Sequence, residues 1–251
     1  YSSSDIEYDC ILPCFVGSTV AYTIFAYFFG WGALFPMPDG IAYQNGLRLL
    51  PYFVLALAVT FGARFYIRVF KSAEVFFGAL RLPGWLTVVV GGLLTGVIGF
   101  FVPEILGTSY PVIQDVLSSR SIGFGALLAI FFAKAVATSF TVGSGGSGGV
   151  FAPAIVCGGA LGGAVGIFFA HVLPASWGVH PSAFALVGMA GFLASAIRVP
   201  MTAIVMVAEI SGNHQLLVPA MWVCGIAFWL NNGWSLYRSQ VHSRASSPVH
   251  E

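Results

Sequence analysis

The chain has 251 residues, 58% of them hydrophobic and only 8% charged, with a formal net charge of +1. Soluble domains carry roughly 25% charged residues, and the stretch from Ala135 to Ile197 contains no Asp, Glu, Lys or Arg. Such a run suits a bilayer rather than a water-facing surface, and so small a net charge gives no footing for nucleic acid or acidic partners.

The chain opens on Tyr1, without an initiator Met or a cleavable signal, and stops in the polar tail "SRASSPVHE". Both ends read as cut, so the expectation is a piece of a longer protein. A membrane helix needs about 20 apolar residues. Residues 11–35 qualify, with aromatics crowding the far end as an interfacial belt does. After the turn cluster "PMPDG", residues 47–70 form a second helix ending in Arg64, Arg68 and Lys71, which can snorkel to a surface. Residues 84–103 form a third, rich in small residues that let membrane helices approach closely. "SYPVIQDVL" is too short and polar to span and is expected at an interface or re-entering; residues 122–140 form a fourth helix.

Beyond that the pattern breaks up. A long apolar run follows the glycine loop, "PSAFALVGMAGFLASAI" is interrupted by "RVP" before "MTAIVMVAEISG", and "LLVPAMWVCGIAFWL" and "WSLYRSQV" come last. Several of these segments are too short to cross, as in the broken helices of transporters; period-two alternation, the mark of a membrane barrel, is absent. The basic residues Arg64, Arg68, Lys71 and Arg81, and Arg238 and Arg244 in the tail, put those regions on the cytoplasmic side, and the 36–46 loop with Asp39 outside.

The stretch "GSGGSGGVFAP", residues 143–153, needs its own account. It contains a formal Gly-x-Gly-x-x-Gly, yet the next carboxylate is Glu209 and no Gly-Lys-Ser/Thr follows, so a nucleotide loop fails its context. Irregular backbone at membrane depth must line a cavity or be buried in protein. Glycines let the chain turn there, and a helix starting near Val150 would present free N–H groups and a dipole of roughly +0.5 charge, an anion site without a fixed cation. Pro153 near the first turn loses little by lacking an N–H. Amides and hydroxyls hold a monovalent anion weakly enough to release it. The competing structural reading is a glycine-rich packing seam.

Three stretches, in order, resemble one family. "GSGGSGGVFAP" is similar to the Gly-x-Phe-x-Pro signature of the CLC chloride channels and proton-coupled chloride transporters. "GMAGFLASAIRVPMTAIVMVAEISGNHQLLVPAM" is similar to that family's next helices, and "SLYRSQV" to its last. The resemblance covers essentially the whole chain. It implies an all-α integral membrane protein of tilted and broken helices: residues 1–35 as the last helix of the first inverted repeat, 47–230 as the second repeat, 234–242 as a final pore-facing helix, and 243–251 as the start of a cytoplasmic tail. It implies transport of chloride or other small monovalent anions, as a voltage- or pH-gated channel or a proton–chloride antiporter, not an enzyme. No cofactor and no metal are expected, with chloride the bound ion.

Carried over residue by residue, the resemblance gives the amides of Val150, Phe151 and Ala152 to the anion, makes Gly148, Gly149 and Pro153 the pore loop, and has Tyr237 offer its hydroxyl from the cytoplasmic side. Without the resemblance, Tyr237 reads as an interfacial anchor. It also implies a multi-pass protein of the cell membrane, in bacteria the inner membrane. Its partners would be membrane lipid, the N-terminal half of the same transport domain, and a second copy. That homodimer would pair through residues 11–35, 199–212 and 215–230, with Ile204, Leu216, Leu217 and Met221 on the surface. The family's Gly-Ser-Gly-x-Pro serine loop and Gly-x-Glu-x-Pro glutamate do not occur here, and Glu7 lies past the place of its proton-transfer glutamate, so channel and antiporter stay unseparated. Another broken-helix secondary transporter and a fragment inactive on its own stay open as alternatives.

The remaining polar residues take structural readings. Lys134, a charge within an apolar helix, is expected on helix-end carbonyls or one carboxylate, with a raised positive potential for an anion as the sharper alternative. Arg198, in the "IRVP" break, is expected to donate to the C-terminal carbonyls of the helix before it. Glu209 in isolation is a candidate proton group, and the resemblance implies a structural carboxylate instead; His171 and His180 read as solvated, and Cys10, Cys14, Cys157 and Cys224 as packing residues.

Overall fold

The computed structural model describes residues 8–31, 46–118, 122–174 and 177–237, which form helices, short 3-10 turns and loops with no strand among them. Two compact units divide the chain, residues 1–34 with 237–251, and residues 35–236. In the first unit, α1 spans Tyr8–Phe29. Its Thr19 and Thr23 hydroxyls fold back onto the carbonyls of Phe15 and Thr19, at 2.7 and 2.8 Å, so the helix carries no unspent hydroxyl at those positions. The helix stops at Gly30, whose φ of 93° only glycine adopts readily, short of the expected end at 35. Residues 32–35, the 36–46 loop with Asp39, Glu7, the side chain of Cys10, and the tail with Arg238 and Arg244 lie outside the described residues.

The second unit contains α2 (Leu49–Ala79), α3 (Gly84–Phe101), α4 (Tyr110–Leu117), α5 (Phe124–Gly143), α6 (Phe151–Val172), α7 (Pro181–Ala196), α8 (Pro200–Ser211) and α9 (Leu217–Leu230). With α1, the helices α2, α3, α5 and α6 are long and apolar enough to cross a membrane, while α7, α8 and α9 are shorter apolar helices. The chain is thus an all-α, multi-pass membrane protein, as its composition requires. Helix α7 is the axis of the unit. Every residue after Pro181 is buried, as expected for a helix apolar on all sides, and α2, α6, α8 and α9 pack round it.

Helices α6 and α7 approach closely: a methyl on Gly158 would sit 2.6 Å from the Gly188 carbonyl oxygen, and one on Gly162 would come closer still to that of Phe184. Small residues therefore set the spacing, and backbone contact replaces side-chain interdigitation. On the outside, Trp85, Phe100, Met201, Val205 and Trp229 are exposed, a surface suited to lipid rather than water.

Several sequence expectations need correction. Helix α2 runs nine residues past 70, because the buried series Tyr66, Ile67, Phe70, Ala73 and Phe77 continues its core face at helical spacing. Arg64, Arg68 and Lys71 therefore sit within the helix rather than at its end. The "SYPVIQDVL" segment, expected at an interface or re-entering, forms α4, whose Val112, Ile113, Val116 and Leu117 are buried against α6 and α7 while Pro111 and Gln114 are exposed. The run after the glycine loop is one unbroken helix of 22 residues, in keeping with the helix expected to start near Val150, and the short helices begin at α7. Leu216, 2% exposed, belongs to the core and is unavailable to a second copy, whereas Met221 is exposed. Of the expected final helix over 234–242, residues 234–237 are not helical, and the rest lies outside the described residues.

The ends of α7 and α9 are tied together by polar groups. Asn231, fully buried, caps α9, accepts from Arg64 Nε at 3.1 Å and donates through Nδ2 to the Ser195 carbonyl at 2.8 Å. Arg64 Nη2 also donates to the Leu230 carbonyl. Arg198 does donate to a helix-end carbonyl, but that of Asn231 on α9 rather than one on α7, and its guanidinium lies over Phe228. The α7 carbonyls are already spent, Ser195 on Asn231 and Ala196 on the amide of Leu236. Arg198 itself adopts φ 64°, the left-handed turn that ends α7 and reverses the chain into α8.

Candidate functional site

Helix α5 ends at Gly143, and the next seven residues turn the chain into α6. The turn is built from α5's own last carbonyls: Ser144, Gly145 and Gly146 donate their amides to Phe140, Val142 and Thr141 at 3.0–3.1 Å. Gly145 has φ 91°, where a side chain is strained, and a methyl on Gly146 would come within 2.6 Å of the Thr141 carbonyl oxygen. Two glycines are thus demanded by the turn itself. Gly149 is different. A methyl there would meet nothing within 4 Å.

Val150 is the N-cap of α6 and supplies no side-chain cap. Ala154 donates to the Val150 carbonyl at 3.1 Å, while Val150, Phe151 and Ala152 donate to no backbone carbonyl among the described residues, and Pro153 has no N–H to give. Three consecutive amides at the positive end of a 22-residue helix are left unspent. Val150 is buried and Phe151 is 41% exposed, so the first turn is reached from one side.

Beside this turn lies a cavity of about 220 Å³, lined by Gly148 and Gly149 from the loop, Pro153 from the first turn of α6, Lys134, Thr138 and Thr141 from α5, and Thr95 of α3. Lys134 is 4% exposed and donates all three ammonium hydrogens to neutral oxygens: the carbonyls of Ile105 and Gly107, both at 2.7 Å, and Ser109 Oγ at 2.9 Å. That is the helix-end pairing its intramembrane position suggested. Thr95 and Thr141 pair through their hydroxyls at 2.9 Å.

The six residues from Gly148 to Pro153 singled out by sequence, which span the loop's end and the first turn of α6, therefore lie together in the second unit. Tyr237, half-exposed, belongs to the first unit and immediately follows Leu236, whose amide is anchored on α7. Sequence reasoning missed Thr138; its spacing of four from Lys134 places both on one helix face, a signal that was available. Glu209, His171 and His180 are exposed and do not line this cavity. Among the described residues, no cluster of His, Cys, Asp and Glu could hold a metal.

A family model described as "Voltage gated chloride channel" matches residues 1–232. Among similar proteins, a "Putative chloride channel protein ClcB-like" of Ralstonia nicotianae is 32% identical over 84% of this chain and 49% of its own length. An "H(+)/Cl(-) exchange transporter ClcA" of Yersinia pestis is 32% identical over 85% of this chain and 45% of its own. The chain spans about half the length of these relatives. A solved structure of a slow cyanobacterial Cl-/H+ antiporter superposes with a TM-score of 0.73 at 24% identity, over 86% of this chain and 50% of that one. A CLC-type fluoride/proton antiporter gives 0.73 at 19%, over 90% and 54%. Both likenesses speak for the fold.

Proposed function

The chain belongs to the voltage-gated chloride channel family, and from that premise we propose that it forms the second half of a transmembrane chloride pathway, in which the first turn of α6 holds the anion. The observation that carries the reading is the row of unspent amides at Val150, Phe151 and Ala152, set beside a cavity and reached through a loop whose glycines keep the backbone bare. A monovalent anion fits that chemistry. It gains several amide donors and the helix dipole, while the Lys134 ammonium on the cavity wall has its hydrogens committed to Ile105, Gly107 and Ser109 and does not clamp it.

Gly148, Gly149 and Pro153 shape the approach, and Tyr237 supplies a hydroxyl from the cytoplasmic side. The remaining ligands come from the N-terminal half of the same transport domain, residues 1–35 closing that first repeat and 47–230 making the second. The role is transport rather than catalysis, with chloride as cargo and no cofactor. Proton-coupled exchange is the favoured mode, in keeping with the names of the exchange transporters it is similar to. The protein works as a homodimer in the bacterial inner membrane, with the tail in the cytoplasm.

Chloride binding by calorimetry and chloride flux from liposomes, both on the full-length protein, test this. We expect saturable chloride binding that Gly149→Ala weakens without lowering the melting temperature. A stable protein that binds no chloride would overturn the reading.

A further inference from the structure

Two buried side chains on the wall of the cavity are not accounted for by the loop amides. Lys134 sits midway along α5, a helix long and apolar enough to cross a membrane, and its ammonium has neutral partners only. No carboxylate pairs with it among the described residues; Glu104, beside Ile105 in the neighbouring turn, is exposed. A buried charge without a counter-charge is costly, and the usual remedy is an ion pair. Here the protein supplies the hydrogen bonds and leaves the charge uncompensated.

One helical turn on, Thr138 is 8% exposed and lines the same cavity. Serine and threonine hydroxyls within a helix ordinarily return to the carbonyl four residues back, as those of Thr60, Ser139 and Thr141 do. The Thr138 hydroxyl makes no such bond and has no partner among the described residues. A buried hydroxyl donor beside an uncompensated cation, in a cavity large enough for a partly hydrated ion, lacks one thing: an anion.

We propose that this cavity is a second anion-holding position next to the α6 turn, in which the Thr138 hydroxyl donates directly to a small monovalent anion and Lys134 sets the potential without touching it. The inference rests on the anion-transport reading and adds residues to it. Because the ammonium's hydrogens are all committed to Ile105, Gly107 and Ser109, Lys134 cannot coordinate the anion. It attracts at a distance, which favours occupancy yet permits release. Lys134 is therefore a positioning residue in the electrostatic sense, and Thr138 a ligand.

The test uses the full-length protein with chloride as the probe, reading the calorimetric Kd, the chloride dependence of flux and the melting temperature in detergent. Thr138→Val keeps the β-branched shape and removes the hydroxyl. We expect about a tenfold loss of chloride affinity at unchanged melting temperature, with Thr138→Ser restoring it. Lys134→Gln keeps amide hydrogens for the same carbonyls but removes the charge, and should weaken chloride binding, whereas Lys134→Arg should stay within about threefold of the parent. A merely structural Lys134 would move the melting temperature and leave the chloride Kd alone. If Thr138→Val and Lys134→Gln both bind chloride like the parent while Gly149→Ala does not, the second position is overturned and the α6 site stands. If the parent itself binds no chloride, the α6 reading falls and this inference with it. Should Lys134→Gln fail to fold, the Thr138 pair alone decides.

Discussion

Gly145 and Gly149 lie four residues apart in one loop and are glycine for opposite reasons. Gly145 has φ 91°, so Gly145→Ala should destabilise by about 1–2 kcal/mol through backbone strain, read as a lowered melting temperature in detergent. Gly149 has open space where a side chain would go and lines the cavity. Gly149→Ala should leave the melting temperature unchanged and lower chloride affinity, so the two variants separate folding from binding at one loop. Tyr237→Phe removes a single hydroxyl; as a ligand to the anion it would be worth about 1.5–3 kcal/mol of binding, less what water restores. Unchanged chloride affinity in Tyr237→Phe would remove Tyr237 from the site. At this scale the sequence was legible where chemistry is local. A lysine in an apolar helix announces carbonyl partners, and it has them. Arg198 was misassigned because its partner depends on where α9 ends in space, 33 residues further on, and nothing in "IRVP" encodes that distance.

At the scale of elements, α7 is held at its C-terminal end by groups from two other helices, and Asn231 is where they meet. It takes Arg64, gives to Ser195 and offers its carbonyl to Arg198. Asn231→Ala leaves a half-buried guanidinium and a helix-end carbonyl short of partners, so we expect a loss on the order of 1.5–3 kcal/mol in stability; a melting temperature equal to the parent's would show that water fills the gap. Gly158→Val should be as damaging for a different reason. Its side chain would collide with the backbone of α7, and over-packing of this kind costs at least about 1–3 kcal/mol. Element existence was readable from hydropathy, since each long apolar run did become a helix. Burial was not. The polar letters of "SYPVIQDVL" spoke against a span, but they did not show that one face of α4, apolar at helical spacing, is packed inside. The end of α2 was placed early for a related reason: three basic residues looked like a terminus, while the apolar face beneath them ran on.

At the scale of the whole molecule, the chain is a family member about half the length of the relatives it matches, and both remaining predictions concern what it needs around it. The outer faces of α8 and α9 carry exposed Met201, Val205, Met221 and Trp229 and partly exposed Ile204, apolar area that lipid or a second copy can cover. On the homodimer proposal, Ile204→Trp should shift detergent-solubilised protein towards monomers, measured by size exclusion with light scattering; dimers undisturbed by this and by Met221→Trp would speak against that face. Leu216 is no test of the idea, because it is spent in the core.

The sharper experiment compares residues 1–251 alone with the full-length protein in liposomes. Amides from one helix N-terminus and one threonine hydroxyl give an anion a few donors, whereas replacing its hydration shell at membrane depth takes ligands from all sides. The isolated chain should therefore fail to carry chloride even where it folds and inserts, and restoring the N-terminal half should restore flux. Chloride-selective flux from residues 1–251 alone would mean that the described helices already enclose a complete path, and the division of the anion's ligands between two halves would be wrong.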